Sequence, residues 1–311
     1  MNNLVYACIN MSLSYPSDKK VARITTNRSM IKRTFNQKGI KYASELALQN
    51  VKDLYRILQW NEQHNIKFYR MSSDIFPWAS NYNMEDLPDY KSILHWCKKS
   101  GDYAKLYNHR LTSHPGPFNK LTSPRESVIQ NTITDLEIHG RFFDMLELPR
   151  SPWAKINIHV GAHYNDKFMA VNNFCRNFER LSPAVQSRLT VENDDKASLY
   201  STRELYEDVH SRIGIPIVHD LHHHLFCTGD LTNEEALSLA VQTWADIKPV
   251  VHYSQSRSEE QQDPKIRHNA HSDSYWTAVN TYGHSVDVML ESKHKEIALF
   301  KMQKLLNKDN N

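Results

Sequence analysis

The sequence alternates short apolar segments with longer helical patterns, and it does so eight times. Runs rich in β-branched and aromatic residues predict strands, whereas apolar residues three or four positions apart predict helices. The predicted strands cover residues 5–9, 66–70, 110–113, 155–160, 189–192, 215–220, 250–253 and 286–291. Strict strand–helix alternation favours a parallel sheet, and eight such units fit about 300 residues. We therefore expect a single α/β domain over residues 1–311, folded as a (β/α)₈ TIM barrel.

The helical patterns cover residues 43–65, 90–100, 123–146, 166–180, 201–213, 232–246 and 294–306. Ser123 should open its helix, because Pro and then Glu follow it at the first and third helical positions. The polar segment 254–269 shows no regular pattern. An open doubly wound sheet is the alternative fold, but it usually carries a glycine-rich turn after its first strand. This chain has Asn10-Met11-Ser12 there.

Glycine is scarce, with 8 residues, and histidine is abundant, with 17. No glycines fit the dinucleotide-binding or phosphate-loop patterns, so we expect no nucleotide cofactor. The four cysteines are far apart, which argues against disulfides and zinc fingers. No apolar segment is long enough to span a membrane, and no secretory signal is visible at the N-terminus. We therefore expect an intracellular protein that is neither secreted nor bound to a membrane.

The segment from Met11 to Lys41 is strongly basic, because Asp18 is its only acidic residue. Eight basic residues accompany it: Lys19, Lys20, Arg23, Arg28, Lys32, Arg33, Lys38 and Lys41. A solvated loop and a segment that contacts nucleic-acid phosphates both explain this pattern.

Polar side chains end nearly every predicted strand or lie in the loop that follows it. The ligand-type residues are His114, His159, Glu192, Asp220, His223, His252, His271 and Glu291. In a barrel these strand ends meet at one rim, where buried carboxylates need compensating charge. Divalent cations would supply it, and nitrogen and oxygen ligands suit Mn²⁺, Zn²⁺ or Fe²⁺. Eight ligands exceed the need of one ion, so we expect two or three, an arrangement suited to hydrolysis at phosphorus.

Nine short segments then point to a known family. They cover residues 6–10, 25–28, 68–80, 114–116, 159–161, 191–194, 220–224, 252–255 and 288–296. In these segments and in their order the chain resembles the UV damage endonuclease family. The resemblance implies a TIM barrel related to endonuclease IV that binds up to three metal ions, usually Mn²⁺. It implies incision of damaged double-stranded DNA immediately 5′ of UV photoproducts and of some other lesions, leaving a 3′-hydroxyl.

Transferred position by position, the metal ligands of the family fall on the same eight residues. We expect Glu192, Asp220, His223 and Glu291 to hold the most buried ions and to be the catalytic core, with His114 and His159 around a more open ion. The lesion-contacting residues of the family fall on Tyr6 and Asn10. We expect the protein to act as a monomer.

The chain departs from the family pattern in three places. Asn81 replaces a histidine ligand and would bind a metal more weakly through its carbonyl oxygen. Pro117 and Phe118 replace a Gln-Tyr pair that wedges into the duplex, and Phe118 retains the ability to stack. Val250 replaces a lysine found near the metals in some members, while Lys248 lies two residues earlier.

Two other functions remain as alternatives. A metal-dependent sugar isomerase has a barrel with similar ligands, but it needs neither the basic segment nor the aromatic loop around Phe76 and Trp78. A DNA-lesion-binding protein weakened in catalysis through Asn81 is the other.

Overall fold

In the computed structural model, which describes residues 2–309, eight short strands follow one another along the chain. They are β1 (Leu4–Ala7), β2 (Phe68–Arg70), β3 (Arg110–Thr112), β4 (Ile156–His159), β5 (Leu189–Glu192), β6 (Ile217–Val218), β7 (Val250–Tyr253) and β8 (Asp287–Leu290). Each lies within or beside a predicted strand, and β5 and β7 have the predicted limits. The largest difference is at β6, predicted over residues 215–220, because its ends leave the regular sheet.

Every strand pair is parallel, and the strands form two sheets in the orders β3-β2-β1-β8-β7 and β4-β5-β6. Single parallel bridges join the sheets at both edges. Ser113 pairs with Ile156 between β3 and β4, and Asp220 pairs with His252 between β6 and β7. Backbone hydrogen bonds of 3.0 Å from Ser113 to Lys155 and of 3.1 Å from Leu221 to His252 support these pairings. The eight strands therefore close into a ring, which confirms the expected (β/α)₈ barrel.

The described residues contain eleven α-helices. They are α1 (Met11–Ser14), α2 (Lys32–Gln63), α3 (Tyr90–Leu106), α4 (Glu126–Met145), α5 (Lys167–Phe178), α6 (Pro183–Gln186), α7 (Thr202–Glu204), α8 (Ser211–Ile213), α9 (Asn233–Gln242), α10 (Arg257–Gln261) and α11 (Lys295–Asp309). A π-helix, Leu205–His210, joins α7 to α8 where one continuous helix was predicted. None of the described helices is both long and apolar enough to cross a membrane.

Several helix starts differ from the predictions. The helix predicted from Ser123 begins at Glu126, because the Ser123 hydroxyl accepts a hydrogen bond from the Arg125 backbone in the preceding turn. Helix α2 begins eleven residues early and contains one non-helical residue, Gly39, whose φ of 66° and ψ of −165° favour glycine. Helix α10 lies in the segment predicted to be irregular. By contrast, α7 begins where the helix over residues 201–213 is predicted to begin, at a capping box in which Ser201 and Glu204 cap each other.

Side chains alternate between the two sides of the barrel wall. Val5 and Ala7 belong to a small cluster with Phe68 and Met289, whereas Tyr6 belongs to the larger core formed with the helices. At the N-terminal end of the barrel, buried Arg110 forms a 3.1 Å ion pair with Asp287. This end is therefore closed by side chains, and the open cluster of polar groups lies at the other end.

Candidate metal centre

Seven ligand-type side chains meet at the C-terminal ends of the strands. They form three groups in which one ligand atom from each member lies within 4.8 Å of the others. The groups are His114 with His159 and Glu192; Glu192 with Asp220 and His223; and Asp220 with His252 and Glu291. Because Glu192 and Asp220 each belong to two groups, the three form one continuous site, which we call the polar cluster.

Glu192 lies at the centre of the polar cluster and is almost fully buried. One carboxylate oxygen is 3.1 Å from His114 Nε2, and the other is 3.1 Å from His252 Nδ1 and 3.5 Å from His223 Nδ1. At the opposite edge of the cluster, Arg70 pairs with Glu291. The carboxylates are thus surrounded by nitrogen ligands and one guanidinium group.

These contacts shift the pKa values of several side chains in the polar cluster. Burial alone would raise the pKa of Glu192, but His252 and His159 hold it well below its usual value. Arg70 similarly holds the pKa of Glu291 well below its usual value against the effect of burial. Burial would lower the pKa of His223, but Asp220 and Glu192 raise it to about 9. The carboxylates of Glu192 and Glu291 therefore favour the ionised form that binds cations.

Several ligand atoms of the polar cluster lack well-oriented hydrogen bonds. Glu192 Oε1, Asp220 Oδ2, His252 Nδ1 and His159 Nδ1 are buried, and none forms a hydrogen bond of suitable angle within residues 2–309, although Glu192 Oε1 and His252 Nδ1 lie 3.1 Å apart. Buried polar atoms in folded proteins are nearly always paired. Divalent cations would satisfy these oxygen and nitrogen atoms together, so the residues present fit the predicted metals.

Neighbouring polar groups hold the ligands in place. Asn157 donates a hydrogen bond to Glu192 Oε2, and its own carbonyl accepts one of 2.7 Å from Thr190. The Asp220 carboxylate accepts bonds of 2.7 and 2.8 Å from two backbone amides of the turn that follows it. Such supporting contacts fix the orientation of metal ligands.

Lys155 lies inside the barrel beneath the polar cluster, fully buried, with Nζ 3.3 Å from His252 Nε2. Burial lowers the pKa of its amine to about 7, although nearby Glu192 opposes the shift. The lysine therefore adds a cationic group, or a neutral hydrogen-bonding amine, directly behind a predicted ligand.

A cavity of about 580 Å³ opens over one side of the polar cluster. Lys120, Asp194 and Lys196 line it together with predicted ligands. The stem of Lys120 lies against Gly161, where an added Cβ would come within 2.8 Å of its Cδ and Nζ atoms. Burial lowers the pKa of Lys120. Its ammonium group therefore faces the space in which a substrate would lie.

His271 lies beside the polar cluster but outside the three groups. Its Nδ1 atom is 2.9 Å from the backbone oxygen of Glu291 and 3.6 Å from the Glu291 carboxylate. Its ring also lies 5.8 Å from that of His223. Its role as a ligand stays a prediction.

The structure does not bring Asn81 to the polar cluster. Asn81 is exposed in a short 3₁₀ helix, and its amide donates to Ser80 Oγ at 3.1 Å. It lines a separate cavity with Ile133 and Arg141. The loop after β2 thus holds Asn81 at a different cavity from the other predicted ligands, and its role as a metal ligand stays a prediction.

Tyr6 and Asn10 also lie away from the surface. Both are fully buried, and the Tyr6 hydroxyl donates to Asn61 of α2 at 2.6 Å while it accepts from Asn10 at 3.0 Å. Strand alternation turns Tyr6 outward between the barrel and α2, and Asn10 caps α1. In this structure the two side chains thus join the barrel to α2 and cap α1, and their contact with a lesion stays a prediction.

Pro117 and Phe118 lie on the loop after β3, as a DNA contact requires. Pro117 lines the cavity over the polar cluster, and Phe118 is 69% exposed. Their wedge role stays a prediction.

Lys248 does not reach the cluster, because it forms a 3.0 Å ion pair with Asp287 at the other end of the barrel.

Four polar side chains at the site were not predicted from the sequence: Asn157, Lys155, Lys120 and Arg70. Asn157 and Lys155 occupy inward positions of an otherwise apolar strand, and a polar residue at such a position is itself a signal. Lys120 follows β3 in a loop and carries no pattern that distinguishes it from a solvated lysine.

Fold and site together define a (β/α)₈ barrel with a histidine–carboxylate cluster suited to several metal ions. The family model described as UV-endonuclease UvdE matches residues 2–310. The chain therefore belongs to the UvdE family of UV endonucleases.

Individual relatives of the chain support the same family membership. A UV DNA damage endonuclease of Bacillus cereus is 34% identical over 82% of this chain and 80% of its own length. A UV-damage endonuclease of Schizosaccharomyces pombe is 32% identical over 96% of this chain but 50% of its own length. The chain thus spans about half the length of this fungal relative.

Among solved structures, SacUVDE superimposes with a TM-score of 0.83 and 29% identity, covering 100% of this chain and 99% of SacUVDE. A D-tagatose 3-epimerase-like protein gives a TM-score of 0.53 at 14% identity over 79% of this chain and 89% of its own. The second likeness concerns the fold alone.

Proposed function

We propose that the protein is a metal-dependent endonuclease that hydrolyses DNA immediately 5′ of UV photoproducts and leaves a 3′-hydroxyl. The observation that carries the proposal is the meeting of seven ligand side chains in three contiguous groups at the open end of the barrel. The family membership of the chain supports the choice of substrate.

The buried residues Glu192, Asp220, His223 and His252, with partly buried Glu291, would hold the inner ions. The side chains of His114 and His159 are 17% and 21% exposed, which suits an ion closer to solvent. We expect two or three ions, with Mn²⁺ favoured and Zn²⁺ or Fe²⁺ able to replace it. Bound divalent cations would activate water and neutralise charge that develops on the phosphate oxygens.

The rim around the polar cluster suits damaged DNA. Exposed apolar side chains follow several strands on this face: Tyr15, Val21, Ile31, Phe118, Tyr164, Phe168, Met169, Leu225 and Trp276. The basic segment after β1 is also exposed at Lys19, Lys20 and Arg23. Lysine and arginine would contact phosphates, and aromatic rings would contact unstacked bases.

The proposed function is tested by incision of an oligonucleotide duplex that contains one defined pyrimidine dimer. We expect a cut immediately 5′ of the dimer with added Mn²⁺ and none after treatment with EDTA. The undamaged duplex of the same sequence is the control. Equal cutting with and without metal, or no cutting with Mn²⁺, Zn²⁺ or Fe²⁺, would contradict the proposal.

The incision assay, combined with measurements of lesion binding and of sugar isomerisation, distinguishes the two alternatives. Tight binding to the dimer without metal-dependent cutting would identify a lesion-binding protein. Isomerisation of a sugar such as D-tagatose without cutting would identify a sugar enzyme. A small sugar requires neither the exposed aromatic residues nor the basic segment, so the surface favours DNA.

A further inference from the structure

Two residues follow Glu192 directly and contact other predicted ligands of the polar cluster. Asn193 is fully buried, and Asp194 is 5% exposed. Asp194 offers a carboxylate but belongs to none of the ligand groups found among residues 2–309. The side-chain amide of Asn193 is engaged in hydrogen bonds with the backbone. Both residues therefore act through the ligands that they contact.

The side chain of Asn193 continues the pairing of β5 with β6 where the regular ladder ends. The last residue pair of the two strands is Glu192 with Val218. Beyond it, the Asn193 amide nitrogen donates to the Asp220 backbone oxygen at 3.1 Å, and its amide oxygen accepts from the Asp220 backbone nitrogen at 2.7 Å. An asparagine side chain carries both a donor and an acceptor, so it can replace a peptide group in this pairing. The main chain of Asp220 is thus fixed against β5.

The main chain of Asn193 fixes a second predicted ligand. Its carbonyl oxygen accepts a 3.0 Å hydrogen bond from His223 Nδ1, and the other ring nitrogen, Nε2, lies 3.9 Å from Asp220 Oδ2. An imidazole binds a metal ion through a nitrogen that carries no proton. Because Nδ1 donates to Asn193, Nε2 is the nitrogen of His223 that is available to an ion, beside the Asp220 carboxylate.

Asp194 contacts a different ligand. One of its carboxylate oxygens lies 3.2 Å from His159 Nδ1, and the other accepts a 3.3 Å hydrogen bond from the Tyr200 backbone. The contact with His159 is electrostatic, because its angle does not suit a hydrogen bond. His159 Nε2 lies 3.9 Å from the Glu192 carboxylate. Asp194 thus attracts Nδ1 and leaves Nε2 directed towards Glu192.

We propose that Asn193 and Asp194 are positioning residues for different ions of the polar cluster. Asn193 orients Asp220 and His223 for the inner ions, because these ligands belong to the second and third groups. Asp194 orients His159, which belongs to the first group only, for the outer ion. The inference rests on the proposed metal centre, and it gives two adjacent residues of one loop separate control of the inner and outer ions.

The test measures Mn²⁺ binding to the metal-free protein, prepared with EDTA, by equilibrium dialysis. Asn193→Ala should raise the Kd of the inner ions by about 10- to 100-fold, the usual effect of losing a contact that orients a ligand. Asp194→Asn should raise the Kd of the outer ion alone, by about tenfold.

Asn50→Ala is the matched control. Asn50 is equally buried, and its side chain pairs with the backbone nitrogen and oxygen of Arg28 as Asn193 pairs with those of Asp220. It lies on α2 and contacts no predicted ligand through these bonds, so Asn50→Ala should bind Mn²⁺ as the wild type does. Thermal unfolding in EDTA checks that each variant is folded. If Asn193→Ala is unfolded, Asn193→Ser replaces it, because its hydroxyl can keep one of the two bonds, and it too should raise the Kd of the inner ions.

A variant that lacks the outer site identifies which ion is affected. His114 belongs to the first group only, so His114→Ala removes a ligand of the outer ion alone. In this background Asp194→Asn should have little further effect on Mn²⁺ binding, whereas Asn193→Ala should still weaken it. A general structural defect would instead give losses that add.

Incision of the dimer duplex is measured in parallel at rising Mn²⁺, and Asn193→Ala should need about 10- to 100-fold more Mn²⁺ than the wild type. Unchanged Mn²⁺ binding in either variant, or an equal loss in Asn50→Ala, overturns the inference and leaves the endonuclease intact. The expected shifts in binding without incision by the wild type contradict the proposed function and support the inference. A wild-type protein that binds no Mn²⁺ overturns both.

Discussion

At the scale of single residues, Lys120 is the most informative group that the sequence did not single out. Lys120 lines the cavity over the polar cluster, where burial lowers its pKa against the opposing effect of Asp194, and no ion pair of its ammonium group occurs within residues 2–309. Its stem fits against Gly161, which lacks the Cβ that would displace it. An unpaired cation held in this way suits a phosphate oxygen of the substrate.

We therefore expect Lys120→Ala to lower kcat/KM for incision by about 10- to 100-fold, the usual effect of losing a hydrogen bond to a charged group. Lys120→Arg should retain more activity, because it keeps the charge. Lys196→Ala is the control, since Lys196 lines the same cavity but is exposed. Equal losses in the two alanine variants would contradict a specific role for Lys120.

His219 predicts how stability depends on pH. It is buried and neutral, with Nδ1 accepting from Thr202 at 2.9 Å and Nε2 donating to Asn233 at 3.0 Å. Burial lowers its pKa to about 4. As the pH falls below about 6.5, the unfolded chain takes up a proton that the folded protein does not, so this contribution to stability is lost between about pH 6.5 and pH 4.

Urea unfolding in EDTA across this pH range checks the prediction. On acidification the free energy of unfolding of the wild-type protein should fall by up to about 3 kcal/mol more than that of His219→Gln, because the variant lacks the titrating group. His95→Gln, at an exposed position, should behave as the wild type. Parallel pH curves for wild type and His219→Gln would show that His219 is not responsible.

Residue types at strand ends were sufficient to predict most of the polar cluster. His159 and Glu192 are the last residues of their strands and His114 lies just after β3, so the closure of the barrel fixes where they meet. Tyr6 and Asn10 could not be placed in this way. Whether a side chain near β1 points outward or inward depends on the register of the strand and on α2, neither of which a motif specifies.

At the scale of elements, the segment between β1 and α2 combines two roles. Arg28 anchors it through a 2.7 Å ion pair with buried Asp53. Lys19, Lys20 and Arg23 extend into solvent. The segment is thus held at its base and exposed at its tip, as expected for a contact with the DNA backbone.

Replacing Lys19, Lys20 and Arg23 together by glutamine should weaken binding to damaged and undamaged duplexes alike. The slope of log affinity against log salt should fall by up to about 0.9 for each phosphate that the protein no longer neutralises. Fluorescence anisotropy in EDTA measures the affinity and its dependence on salt. The control replaces Lys301, Lys304 and Lys308, which are exposed on α11. Unchanged binding in the first variant would identify the segment as a solvated loop.

Element order was predictable from the sequence, because each strand and helix carries its own hydrophobic period. The first and last residues of each element were less predictable. The helix expected from Ser123 starts at Glu126, and the π-helix within 201–213 leaves no local signal. These limits depend on hydrogen bonds with neighbouring elements, which the local pattern does not contain.

At the scale of the whole molecule, the polar cluster concentrates three carboxylates at one end of the barrel. Cations that bind only the folded state should stabilise it, by about 2.7 kcal/mol per site at a concentration one hundred times the Kd. Mn²⁺ added to EDTA-treated protein should therefore raise Tm by several degrees. Differential scanning calorimetry measures the change.

Glu192→Gln should show a much smaller rise in Tm with Mn²⁺, because the variant loses a ligand from two of the three groups. Asp287→Asn alters a buried carboxylate at the other end of the barrel and should keep the full rise. If Glu192→Gln responds as the wild type does, Glu192 is not a metal ligand.

Within residues 2–309, one bridge on each side joins the two sheets of the barrel. The first ligand group crosses one junction, from His114 after β3 to Glu192 on β5, and the third crosses the other, from Asp220 after β6 to Glu291 after β8. Bound ions would thus link the five-stranded and three-stranded halves of the barrel. In the metal-free protein these halves separate more easily, so backbone amides of β4 to β6 exchange with deuterium sooner. The cations expected to cut DNA would also be those that make the barrel unfold as one unit.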